Sequence, residues 1–364
     1  MYFTVSDFPA KGNALTSREI VDLARHAEEV GIHRFGVTDF PFHQDCVPLM
    51  TACLEQTDTL EVESLVTTPF LRPPDVTATT WATMAELSGG RAILGIGKGG
   101  ARPPIFVPPW GYDRPNPRTS IRELVEVCRD MWAGRAPVFA GEALHSSGLR
   151  MDFPVTEEIP VLLAARGMKM LKVGAEIADI VHIAAPFMGA EYQRERVDWV
   201  REAAAAAGRD GVEIDLTVSL SVAKDRDWAR YVGRWTTAAA ILWVANAEKH
   251  TRVAPGSVPP PEFQVPASTV EAISEGWDMW TGEPVPEDLA ALITDDILDQ
   301  FTIAGEPEEC GERLAALADA VDGFTGFRFK LPPLIGRESY GQFHEMIELI
   351  GGIVASRLGG GGGA

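Results

Sequence analysis

The chain has 364 residues, long for one average domain and ordinary for a single α/β barrel with insertions. It carries 32 basic against 52 acidic side chains, a formal net charge of −20. A nucleic acid or an anionic membrane surface would need a basic face, so both partner classes are disfavoured, while a local basic pocket for an anionic ligand stays open.

The predicted elements alternate. Tyr2–Val5 is a short apolar run. Thr16 and Glu19 form the T-x-x-E of a capping box ahead of Ile20, Leu23, Ala24, Ala27 and Val30, and Gly31 stops that helix. Arg34–Thr38 reads as a buried strand and Val47–Glu55 as its helix. Leu60–Thr67 is the third strand. Val76–Leu87 is the third helix, ended by Gly89-Gly90, and Arg91–Ile96 is the fourth strand. A Pro-rich loop, Ala101–Pro117, precedes a helix with Ile121, Leu124, Val125, Cys128, Met131 and Trp132 on one face. Pro137–Phe153 reads as a small hairpin excursion. Pro160–Ala165, Ile180–Ala184 and Glu213–Ala223 are strands five to seven, with helices at Met168–Ile177 and near Tyr192–Ala207. Phe324–Leu331 is strand eight, and Phe343–Leu358 is the closing helix.

Eight β-then-α units in order predict a parallel sheet closed as a (β/α)8 TIM barrel, with insertions after strand four and between strands seven and eight. Residues 1–358 read as one domain and 359–364 as a flexible glycine tail. The stretch of about 228–305 holds Trp235, Trp243, Trp277 and Trp280 and reads as an insertion capping the barrel mouth, or as a helix pair packed outside. Cys46, Cys53, Cys128 and Cys310 form no C-x-x-C and no zinc-ligand spacing with histidine, so buried helix thiols and no metal are expected. The N-terminus lacks basic and apolar signal regions and no apolar run reaches bilayer length, so a cytoplasmic protein is expected.

Function in such barrels lies at the C-terminal ends of the strands. That singles out Asp39, Phe40 and His43 after strand two, and Ser64, Thr67 and Thr68 at strand three. Gly97, Lys98, Gly99 and Gly100 follow strand four, Ala165, Arg166 and Gly167 strand five, Pro186 strand six, and Arg328 and Lys330 end strand eight. Gly95, Gly97 and Gly100 match G-x-G-x-x-G, yet the run continues into ARPPIFVPPW, which cannot open the helix that a dinucleotide fingerprint needs. These glycines instead suggest close backbone approach to a flat ligand. Arg166-Gly167 leads into a helix bearing Lys169 and Lys172, a candidate phosphate site at a helix N-terminus. Asp39 could accept a hydrogen bond or a proton, or cap a helix. His43 could serve as general acid or base. His182, inside strand six, reads as a satisfied barrel histidine.

Three segments carry a family resemblance: VTTPFLRPPDVTATTWATMAELSGGRAILGIGKGG (66–100), IPVLLAARGMKMLKVGAEIADIVHI (159–183) and FTIAGEPEECGERLAALAD (301–319). Together they resemble the bacterial luciferase-like superfamily of flavin- and deazaflavin-dependent oxidoreductases. Within it the chain is similar to the coenzyme F420-dependent branch, which includes methylenetetrahydromethanopterin reductase, phthiodiolone ketoreductase and F420-dependent glucose-6-phosphate dehydrogenase. The resemblance implies an enzyme that transfers a hydride between F420 and a small organic substrate carrying a carbonyl, imine or alkene. An FMN-dependent monooxygenase and a non-catalytic cofactor-binding barrel are the alternatives. It implies a cofactor site of Asp39, Ser64, Leu65, Val66, Thr67, Gly97, Lys98, Gly99, Ala164, Ala165, Arg166, Gly167 and Met168. A non-proline cis peptide is expected near Ser64–Leu65–Val66. His43 and then Asp39 are the expected proton donors. Phe40, Phe42, Phe106, Trp110 and Lys330 are expected to line the substrate pocket. Family habit implies a homodimer through the outer helices near strands two and three. There are two departures. Relatives carry Asp-His after strand two where this chain has Asp39-Phe40, and sugar-phosphate dehydrogenases carry an acid where it has Gly100. Glucose-6-phosphate oxidation is therefore not expected.

Overall fold

The computed structural model describes residues 1–6, 15–40, 43–99, 116–245, 259–279, 283–334, 336 and 338–358. Phe42, Gly100, Phe106, Trp110 and Trp280, and with them most of the Pro-rich loop, lie outside the described residues.

In chain order the elements begin with β1 (Tyr2–Ser6), α1 (Ser17–Glu29), β2 (Arg34–Val37), α2 (Cys46–Glu55), β3 (Glu61–Ser64), α3 (Pro74–Ser88) and β4 (Ala92–Ile96). Then come α4 (Pro117–Trp132), β5 (Val138–Ala140), β6 (His145–Ser147), β7 (Val161–Ala165), α5 (Met168–Ile177), β8 (Ile180–Ile183) and α6 (Ala190–Ala206). The last third holds β9 (Glu213–Val222), α7 (Arg226–Val244), α8 (Ala267–Gly276), α9 (Glu287–Ala290), α10 (Asp295–Phe301), β10 (Thr302–Gly305), α11 (Pro307–Ala320), β11 (Gly326–Lys330) and α12 (Ser339–Ile353). The β-then-α order and parallel pairing make the fold class the predicted (β/α)8 barrel. No helix among the described residues is long and apolar enough to cross a membrane.

Local chemistry sets the element ends. The predicted capping box forms at α1: the Glu19 amide donates to Thr16 Oγ1 at 3.3 Å, and the Thr16 amide donates to Glu19 Oε2 at 2.7 Å. α3 starts on Pro74 and ends on Gly89 in the left-handed conformation at φ 65°. All four cysteines are free and buried.

The chain divides into two compact units. One comprises residues 34–183 and 198–214 and carries the parallel strands β2-β3-β4-β7-β8 in that order. Its core includes Trp81, Ile93, Leu94 and Ile96, each fully buried. The β5–β6 hairpin, as predicted, is an antiparallel excursion, held where Glu123 accepts the amides of Glu142, Ala143 and Leu144 at 2.7–3.0 Å. The other unit comprises residues 1–33, 184–197 and 215–364, with parallel strands in the order β10-β9-β11-β1. Phe3 and Phe329 stack there, with ring centroids 6.2 Å apart. Between β9 and β11 run α7–α10, β10 and α11, and Ile241, Ile273, Leu289, Ile297 and Phe301 form one apolar cluster among them. The four-residue strand β10 has no counterpart in the predicted elements, and β3 ends at Ser64 rather than Thr67.

Candidate active site

The ends of β2, β3 and β4 lie together in the unit of residues 34–183 and 198–214. Beyond Ser64 the chain leaves β3 through a cis peptide bond between Leu65 and Val66, at the predicted place. The segment is stitched to β4 at each step. Ser64 Oγ donates to the Gly95 carbonyl at 2.8 Å and accepts the Gly95 amide at 3.0 Å. The Thr67 amide donates to the Gly95 carbonyl, and the Gly97 amide to the Thr67 carbonyl, both at 2.9 Å. The Leu65 amide reaches back to the Val37 carbonyl of β2 at 2.8 Å.

Two of the glycines are crowded by the chain itself. A Cβ at Gly95 would lie 1.8 Å from the Ser64 carbonyl oxygen, and one at Gly97 would lie 2.6 Å from Val66 Cγ2. Their small size admits the chain's own backbone and side chain at these two positions. Gly99, at φ 71°, occupies the left-handed region that favours glycine. Val66 and Ala164 rest on a buried cluster of Ile93, Leu162 and Ile180 and are themselves half-buried. Leu65 is also half-buried, so three apolar residues, two just past β3 and one in β7, are partly exposed.

Asp39 is buried just beyond β2, but it caps no helix. Asp45 caps α2, accepting the Val47 amide at 2.9 Å. Asp39 is held by Arg72, whose NH1 lies 2.5 Å from Oδ2 and whose NH2 lies 3.4 Å from Oδ1. The same guanidinium reaches Thr67 Oγ1 at 3.2 Å and Asp45 Oδ1 at 3.3 Å. Burial pulls the Arg72 pKa down, but the hydrogen bond and charge of Asp39 outweigh it and the net shift is upward. Burial, with the Asp39 charge beside it, pushes the Cys46 thiol well above the ordinary range, so this cysteine stays a thiol. Arg72 was not among the residues singled out in the sequence. Its signal was a lone arginine in SLVTTPFLRPP, followed by two prolines.

His43 sits half-buried after β2, its amide bonded to the Phe40 carbonyl at 3.0 Å and its ring 6.4 Å from the Phe40 ring. Burial lowers its pKa, which favours the neutral imidazole. Ala165 ends β7, Arg166 is half-buried, and Gly167 opens α5 with no side-chain cap. Gly167 and Met168 are exposed, as is Lys98 beyond β4. In the other unit the Lys330 ammonium lies 4.2 Å from the centroid of the Trp243 ring, which brings the end of α7 to the end of β11. Arg328 is buried on Asp215, its NH2 2.8 Å from Oδ2. His182 is buried in β8.

The luciferase-like monooxygenase family matches residues 1–322. The chain is 30% identical over 295 residues to the 5,10-methylenetetrahydromethanopterin reductase of Archaeoglobus fulgidus, covering 81% of this chain and 84% of that protein. It is 32% identical over 235 residues to the F420-dependent glucose-6-phosphate dehydrogenase of Mycolicibacterium smegmatis, covering 60% and 69%. Among solved structures, the coenzyme F420-dependent tetrahydromethanopterin reductase of Methanopyrus kandleri superposes with a TM-score of 0.74 at 24% identity, over 96% of this chain and 97% of that one.

Proposed function

This chain belongs to the luciferase-like monooxygenase family, and from that premise we propose that it is an F420-dependent oxidoreductase transferring a hydride to or from a small organic substrate. The observation that carries the reading is the 30% identity to a 5,10-methylenetetrahydromethanopterin reductase over four-fifths of the chain. The ledge at the ends of β3, β4 and β7 fits a flat, phosphorylated cofactor. Leu65, Val66 and Ala164 offer half-buried apolar contact for a ring. Arg166 and the uncapped N-terminus of α5 offer a guanidinium and main-chain donors for a phosphate.

When bound, F420 supplies a ring carbon that gives or accepts the hydride. The protein's residues supply the rest. Arg166, Gly167 and Met168 hold the phosphate end. Ser64, Val66, Thr67, Gly97 and Gly99 form the ledge, with Lys98 at its exposed rim. His43, as a neutral imidazole, takes up the proton that balances hydride removal from the substrate, and as the resulting imidazolium gives it back in the reverse direction, while Asp39 is held by Arg72. Phe40 contributes to the substrate pocket, which favours an apolar carbonyl, imine or alkene compound over a sugar phosphate. The net charge of −20 supports a small-molecule partner rather than a nucleic acid, and the four free thiols support a reducing cytoplasm. A homodimer through α2 and α3 completes the reading.

The test is a fluorescence-quenching titration of the purified protein with F420 and with FMN. Tight F420 binding with weak FMN binding is expected. Tight FMN binding together with oxygen uptake on adding reduced FMN would make the protein a flavin monooxygenase instead.

A further inference from the structure

We infer that Arg72 is the positioning residue of the cofactor ledge, holding the Asp39 carboxylate and the Thr67 hydroxyl side by side as a matched acceptor and donor for the polar edge of the bound ring. The inference rests on the F420 reading above. Arg72 leaves the chain immediately before Pro73 and Pro74, and Pro74 begins α3, so its backbone is anchored by the helix start. From there the guanidinium reaches across 33 positions to Asp39 and back across five to Thr67. Both targets are nearly excluded from solvent, at 5% and 2% exposure.

A purely structural role explains these contacts poorly. The bond to Asp45 is to a side chain 63% exposed, and a pair of that kind contributes little. Asp45 already caps α2 without help. A buried ion pair is seldom better for stability than apolar side chains of similar volume. What the Arg72–Asp39 pair does supply is direction. Two guanidinium nitrogens fix the plane of the carboxylate and leave lone pairs on both oxygens. Thr67 Oγ1 accepts from Arg72, so its own proton is left to donate elsewhere. An acceptor and a donor set together complement a cyclic amide edge, which presents N–H beside C=O. The deazaflavin ring carries such an edge.

The experiment is F420 affinity by fluorescence quenching, with a thermal melt beside each titration, for the unaltered protein and for Arg72→Met, Arg72→Lys, Asp39→Asn, the Arg72→Met/Asp39→Asn double variant and Thr67→Val. Expected are a loss of about tenfold or more for Arg72→Met, partial recovery in Arg72→Lys, and a double variant no weaker than the weaker single one. Arg72→Met within twofold of the unaltered protein, or single losses that multiply in the double variant, overturns the inference alone. Should Arg72→Met not fold, Thr67→Val decides: a loss of about threefold supports the inference, and unchanged affinity overturns it. An unaltered protein that binds no F420 overturns the functional reading, and this inference with it.

Discussion

The N-terminal ends of β2, β3, β4 and β8 are tied by four arginines, whereas beyond the C-terminal ends of β2 and β3 one arginine, Arg72, holds a carboxylate and a hydroxyl. At the first end Arg34, 2% exposed, lies 2.5 Å from Glu61 and 2.9 Å from Glu213. Arg91 donates to the carbonyls of Leu54, Leu60 and Ser88 at 2.8–3.0 Å. Arg129 and Arg209 share Asp179, whose carboxylate also accepts the Val161 amide at 2.9 Å. Those bonds close loop carbonyls and strand starts onto one another. At the opposite end Thr67, one of the groups that Arg72 holds, directly follows half-buried Leu65 and Val66. One strand set thus has one end tied by several arginines and an opposite end, where barrel architecture puts function, with a single arginine on a carboxylate and a hydroxyl.

Four substitutions sharpen that contrast. Gly95→Ala has the largest expected effect, because its methyl would stand 1.8 Å from the Ser64 carbonyl oxygen. Rearrangement of the ledge by that clash should cost about 3 kcal/mol or more and abolish F420 binding, read from a melt and a titration. A variant with unchanged affinity would remove the ledge from the cofactor site. Arg34→Met comes next. It leaves two acidic partners unpaired, though each is about a third exposed, so about 2–3 kcal/mol is expected after allowance for solvent screening. Its F420 affinity should hold. A parallel loss of affinity would show that the two ends are not separable.

Arg166→Ala should weaken F420 by about tenfold, the worth of one charge-assisted hydrogen bond. A phosphate-free ring analogue should bind both proteins alike; equal loss for both ligands would mean that Arg166 holds no phosphate. The smallest effect belongs to His43→Gln. Burial depresses the His43 pKa in the folded chain, while the unfolded chain titrates near 6.5. The unfolded state therefore takes up protons first as pH falls, and the stability present above about pH 6.5 is lost below it. Replacing His43 should make the melting temperature fall less as pH drops below about 6.5. An unchanged acid limb would show that His43 carries no such shift.

Much of the frame was legible because its signals are local. Met168–Ile177 was read with the bounds it has, since Gly167 precedes it and a polar break follows. Thr16 and Glu19 announce α1 within four residues. The strand bearing Thr302–Gly305 was not legible, because four residues inside a helical neighbourhood give no period to count. The glycines were visible as a motif, and their meaning was not: what Gly95 avoids is a carbonyl 31 positions earlier.

The sequence by itself determined the barrel class and, β10 apart, the order of its strands. Apolar runs, caps and turn residues act over a few neighbours, and the parallel crossover leaves little freedom in topology. Tertiary structure alone decided which polar groups share an end. Asp39, Thr67 and Arg72 become one hydrogen-bonded set only when β2 and β3 lie in register, with Val37 opposite Ser64. Hydrogen bonds of about 3 Å depend on that register and on side-chain direction, and neither is written in the spacing of residues along the chain.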